Sequence, residues 1–114
     1  MLQNVVVPAI VILAGAFAHA DSTVLSCQSY ANTNAVFELT VNGNNLSYDS
    51  SGAVGNFHYK ETAEGNQIFE GTLQGKRSLS PSWTKESHLV AQTGVLLAGG
   101  TVEVDGQKYN CIKK

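Results

Sequence analysis

The chain has 114 residues but only two cysteines, one tryptophan and a single arginine, and basic residues do not outnumber acidic ones. Each shortage excludes something. The formal net charge is −2, so nothing electrostatic favours nucleic acid or an anionic membrane as partner. A structural zinc site needs four clustered ligands. Here His58 and His88 lie thirty residues apart, with no acidic residue at ligand spacing beside either. No run alternates acidic residues ahead of a glycine, as a calcium loop requires. No serine occupies a G-x-S-x-G elbow, and no glycine-rich phosphate loop opens a helix. Carboxylate pairs such as Glu61 with Glu64, or Glu70 with Glu86, have no apolar surroundings in sequence that would split their pKa values. The sequence therefore predicts no metal, no cofactor and no catalytic residue.

What is present divides into two parts. Residues 1–20 read as a signal peptide. Val5 to Phe17 is an apolar run too short for a stable membrane span, and Ala18-His19-Ala20 follows it as an A-x-A cleavage pattern. The pattern departs from the usual one in that Met1 to Asn4 contains no Lys or Arg. Ala16 stands where a lipoprotein leader would carry its cysteine, so neither a lipid nor a stable membrane anchor is expected. Residues 21–114 are then a single secreted or periplasmic domain, long enough for one core. In an exported chain the two cysteines, Cys27 and Cys111, are expected to form a disulfide. A loop of that length contributes about 4–5 kcal/mol in the chain-entropy model.

The clearest local structure lies at the end of the chain. Asp105-Gly106 between two alternating runs favours a two-residue type I′ turn, because both central residues need positive φ. That turn sets a register. Val104 faces Gln107, Glu103 faces Lys108, Val102 faces Tyr109 and Gly100 faces Cys111. Val102, Val104, Tyr109 and Cys111 then share one face, and Glu103 and Lys108 form an opposite-charge pair on the other.

Upstream, Thr23 to Tyr30 reads as a strand with Leu25 and Cys27 on one face. Ala35, Phe37, Leu39 and Val41 alternate with Val36, Glu38 and Thr40, which is period two with the odd positions inward. After the turn at Asn42 to Asn45, Leu46 and Tyr48 return opposite Val41 and Leu39. Val54 to Lys60 is a weaker strand, softened by Gly55, with Phe57 and Tyr59 on one face and His58 on the other. Gln67 to Leu73 is another strand, and Gln74 to Arg77 a turn. Leu89-Val90 and Val95-Leu96-Leu97 are compact apolar runs separated by Thr93-Gly94 and are expected to be two strands. A helix from a Ser80 cap through Pro81 to about Gln92 is the alternative. Turn signals recur about every ten residues, so the fold class is all-β. It is a small antiparallel barrel or sandwich of about 7–9 short strands, with the first and last joined by the disulfide.

Two stretches are candidates for binding. Lys76 to Lys85 holds the only Arg, Arg77, and the only Trp, Trp83, together with Lys85; Arg and Trp are favoured interface anchors. The second candidate is the polar Ser51-Gly52 loop with His58 and Tyr59, expected to line one mouth of a barrel. The order Cys27, Ser51-Gly52, Trp83-Thr84-Lys85, Tyr109-Asn110-Cys111 resembles that of the periplasmic inhibitors of c-type lysozyme, which are small barrels. The likeness touches a handful of positions. The Ser-Gly loop is shorter here, and Gly55 stands where an aromatic residue would be expected. The resemblance implies an inhibitor that offers a loop to a hydrolase cleft. The residues themselves point to an exported domain that binds an unidentified protein or small ligand without catalysis. A small-ligand carrier would need a cavity among Phe37, Leu39, Phe57 and Phe69, whereas a barrel this short should fill its interior with its own side chains.

Overall fold

The fold is that of a computed structural model describing residues 22–76 and 83–114. The expected signal peptide, Arg77 and the Ser80-Pro81 cap lie outside the described residues. The elements are β1 (Thr23–Ser29), β2 (Val36–Asn42), β3 (Asn45–Ser50), β4 (Ala53–Ala63), β5 (Asn66–Gly75), β6 (Thr84–Gln92), α1 (Val95–Ala98), β7 (Gly100–Val104) and β8 (Gln107–Lys113). The eight strands form a closed antiparallel barrel in sequence order, with β8 pairing back onto β1. Closure removes the exposed sheet edges that a sandwich would leave.

Period-two alternation decides what lies inside. Leu25, Leu39, Leu46, Phe57, Leu89 and Val102 are at most 1 % exposed and fill the interior. Fully burying an apolar side chain of this size stabilises by about 1.5–3 kcal/mol relative to leaving it in water. Phe37, Leu39, Phe57 and Phe69 belong to this same packed cluster.

The final hairpin has the register its turn dictates, from Val104 opposite Gln107 to Gly100 opposite Cys111. Asp105 and Gly106 have φ of 51° and 86°, as a type I′ turn demands. Glu103 does face Lys108, although the ion pairs between described residues are formed by other partners. Cys27 and Cys111 are bonded and buried, joining the first strand to the last.

Three features depart from the sequence expectation. Thr84–Gln92 is a strand, as preferred, but Val95–Ala98 is one helical turn instead of a strand. Gly94 and Gly99 flank it at φ 97° and 96°, and the Ala98 and Gly99 N–H groups donate to the Gly94 and Val95 carbonyls. The turn drives Leu96 into the core at 4 % exposure and packs against β1, β6, β7 and β8. A run of three apolar residues has no period to distinguish helix from strand. Secondly, β4 spans eleven residues and is not weak. Gly55 and Gly71 mark close backbone approach to the neighbouring strand. A Cβ on Gly71 would sit 1.9 Å from the Asn56 carbonyl oxygen, and one on Gly55 would sit 2.3 Å from that of Thr72. Two missing side chains and a register shift between Tyr59 and Glu61 let the β4–β5 hairpin coil tightly enough to close the wall. The third departure concerns His58 and Tyr59, which do not join the Ser51-Gly52 loop at a mouth.

Candidate functional site

Up-and-down order sends alternate connections to opposite ends. The Gly43-Asn44 and Glu64-Gly65 turns and α1 lie at one end. The β1–β2 loop, Ser51-Gly52, Trp83 and Asp105-Gly106 lie at the other, the Asp105 mouth. The Tyr59 N–H donates to the Asn44 carbonyl at 2.8 Å, which places Tyr59 towards the α1 end, where its ring packs on Phe69. His58 alternates outward. Strand alternation sets the faces, and neither residue was within reach of the Ser51-Gly52 loop once β4 ran the length of the barrel.

Gly52, Trp83 and Lys85 do meet. A cleft of about 480 Å³ opens at the Asp105 mouth between Gly52, Trp83, Lys85, Asp105, Tyr48 and Tyr109, with Leu73 and Val104 at its base. Ser50 organises the loop beside it by accepting the Gly52 and Ala53 N–H groups at 3.3 and 3.0 Å. Ser51 lies just outside, in a depression shared with Val36 and Phe37 that continues the cleft across the rim. Trp83 is 41 % exposed, not a core residue. Its indole lies over Gly75, where a Cβ would come within 2.7 Å of Nε1. Val36 and Val54 are also exposed at this end. Arg77 lies outside the described residues.

Sequence reasoning named Lys85 but missed its partner Asp105. Lys85 Nζ lies 3.2 Å from Asp105 Oδ2, and the other carboxylate oxygen accepts the His88 N–H at 2.9 Å. Burial pushes the Asp105 carboxyl up, but the His88 N–H and the Lys85 ammonium outweigh it and hold its pKa below the ordinary value. Burial raises the Tyr48 and Tyr109 phenols, and the nearby Asp105 carboxylate adds to both. Both rings are fixed by Phe37, stacked on Tyr48 at 4.5 Å and edge-on to Tyr109 at 4.8 Å. Their inward direction was legible from alternation. Their nearness to Trp83 was not, because it depends on how the barrel closes.

The outer wall holds a second cluster. His58, Glu70 and His88 are register partners across β4, β5 and β6. Lys60 Nζ is 3.0 Å from Glu70 Oε2 and His88 Nε2 is 3.5 Å from the same oxygen. The Lys60 hydrogen bond holds the Glu70 carboxyl below its ordinary pKa and raises that of Lys60. Lys60–Glu70 is a solvent-exposed ion pair, and no group of three metal-ligating side chains is placed to hold an ion among the described residues. Comparison with family profiles, with characterised proteins and with solved structures finds no match to this chain.

Proposed function

We propose that this is an exported binding module that engages a partner protein at the Asp105 mouth and performs no chemistry on it. One observation carries the reading. Trp83 and Lys85 share one cleft with Gly52, remote from them in sequence, and the Trp83 side chain there is exposed. A concave site with aromatic walls and a few convergent polar groups is the usual form of a binding site. An exposed Trp beside it is the usual form of an interface anchor. The filled interior favours a surface partner over an enclosed small ligand. The buried disulfide is consistent with an oxidising extracellular or periplasmic space. The leader-like segment with its Ala18-His19-Ala20 pattern supports the same destination.

Affinity capture from the exported fraction tests the proposal. A partner retained by the wild type and by Leu97→Ser at the α1 end should be lost with Trp83→Ala. Retention by Trp83→Ala with loss in Leu97→Ser would move the site to the other end.

A second reading, inhibition of a hydrolase, is favoured by the presence of Gly52, Trp83 and Lys85 on the same cleft. Its test is stoichiometric loss of activity in a panel of lysozymes and proteases, reversed by Ser51→Ala or Arg77→Ala. Undiminished activity across the panel at excess protein would exclude it.

A further inference from the structure

The wall of the barrel is uneven beside the mouth. β6 has nine residues and β7 has five. Their ladder covers only Leu89, Val90 and Ala91 against Val104, Glu103 and Val102. Asp105 then ends it, since its N–H donates to the His88 carbonyl at 3.0 Å and its carboxylate accepts the His88 N–H at 2.9 Å. Below His88, β6 continues through Glu86, Lys85 and Thr84, all exposed, with a strand neighbour only on the β5 side.

Backbone direction in this stretch is fixed by its neighbours. The Trp83 carbonyl accepts from the Gly75 N–H at 2.8 Å, so odd-numbered residues of β6 address β5. Even-numbered residues address the other side, as His88 does. The N–H and C=O groups of Thr84 and Glu86 therefore point away from β5, with no strand partner among the described residues. Lys85, between them, projects inward over the mouth.

We infer that the partner contributes an extended segment that pairs antiparallel with Thr84–Glu86, adding a short strand beside β6. The inference rests on the Asp105 mouth being the binding site. Strand addition draws its affinity from main-chain hydrogen bonds and its specificity from alternate side chains. The geometry sets those side chains. The residue opposite Lys85 points into the cleft, towards Leu73, Val104 and the two tyrosines, and is bulky and apolar or aromatic. The residue opposite Glu86 points outward beside an exposed carboxylate that has no ion-pair partner among the described residues, and is basic. A second copy of this chain is disfavoured, because antiparallel pairing about a two-fold axis through this stretch sets Lys85 against Lys85.

Amide hydrogen exchange on the free domain comes first. The Thr84 and Glu86 amides should exchange fast, and those of Lys85 and Ser87, which face β5, slowly. Protection of Thr84 and Glu86 in the free protein would mean the edge is already filled and would overturn the inference. The probe is then the capped heptapeptide Ser-Val-Lys-Tyr-Thr-Val-Ser, which sets Lys opposite Glu86 and Tyr opposite Lys85. At about 1 mM it should slow exchange at Thr84 and Glu86; no protection there rejects strand addition. N-methylation of its Lys and Thr amides leaves the protein untouched and should weaken binding about tenfold or more. Glu86→Pro should do the same, because that N–H has no partner among the described residues to lose. If the partner captured in the test above still depends on Trp83 but is indifferent to Glu86→Pro, the mouth stands as the site and the added strand falls.

Discussion

Cys27 and Cys111 stand opposite each other in register on β1 and β8, with Cα atoms 4.0 Å apart. The disulfide thus crosses the one seam that a chain in up-and-down order must make between its two ends. All seven other pairings join consecutive strands. The β8–β1 pairing alone requires closure of nearly the whole chain, and the covalent bond relieves the unfolded state of that freedom.

Removing the bond should therefore be costly without changing the shape of the fold. The sequence separation of 84 residues corresponds to about 4.5 kcal/mol in the chain-entropy model. For a domain of this size that is a fall in Tm of about 20 °C or more. Thermal unfolding monitored by circular dichroism, with and without reductant, measures it. An unchanged Tm would show that the bond contributes nothing.

The Trp83 indole should report on the mouth. Trp83→Ala should change stability by no more than about 1 kcal/mol, as expected for a part-exposed rim residue. Gly75→Ala should displace the indole and shift its fluorescence, because the added methyl occupies the space beneath the ring. Acrylamide should quench the wild-type emission readily. Strong protection from quenching would place the ring in the core.

Asp105 makes stability depend on pH in a definite direction. Its folded pKa lies below the unfolded value of about 3.9. The carboxylate therefore contributes fully above that value, and the contribution is lost as the pH falls through the folded pKa. Urea unfolding at a series of acidic pH values should show a shallower loss for Asp105→Asn than for the wild type. Parallel curves would mean that the Lys85 and His88 contacts do not stabilise the ionised form.

Gly71→Ala should be among the most damaging single changes in the wall. The new Cβ meets backbone on the adjacent strand, which cannot rotate away as a side chain can. A loss of about 3 kcal/mol or more is expected by urea titration. Gln74→Ala, exposed on the same strand, should cost less than about 0.5 kcal/mol.

The hairpin at Asp105-Gly106 and the Leu46–Val41 and Tyr48–Leu39 pairings were legible, because a tight turn fixes the register of the strands it joins; the Cys27–Cys111 bond was legible because a chain that reads as exported has only these two cysteines. The Val95–Ala98 turn was not legible, since three apolar residues satisfy helix and strand equally. Grouping His58 with Ser51 and Gly52 failed for a related reason. Alternation gives the face of His58 but not how far along the barrel it sits, and an eleven-residue strand carried it away from that loop. Of the site, Gly52, Trp83 and Lys85 were named from composition, while Tyr48, Asp105 and Tyr109 were seen only as parts of strands and a turn.

By itself the sequence determined an antiparallel all-β chain, the inward and outward faces of its strands, and two cysteines near the ends of the domain. Those follow from period two and turn chemistry, which act over a few residues. Only the tertiary structure decided that the wall closes into a barrel and that Asp105 reaches Lys85 and His88. It also decided that β6 runs past β7 and leaves the outward backbone groups of Thr84 and Glu86 without a strand partner among the described residues. These depend on the stagger of strands around the closed wall and on close contacts such as that of Gly71 with Asn56, which sum over the whole chain and appear in no single segment of it.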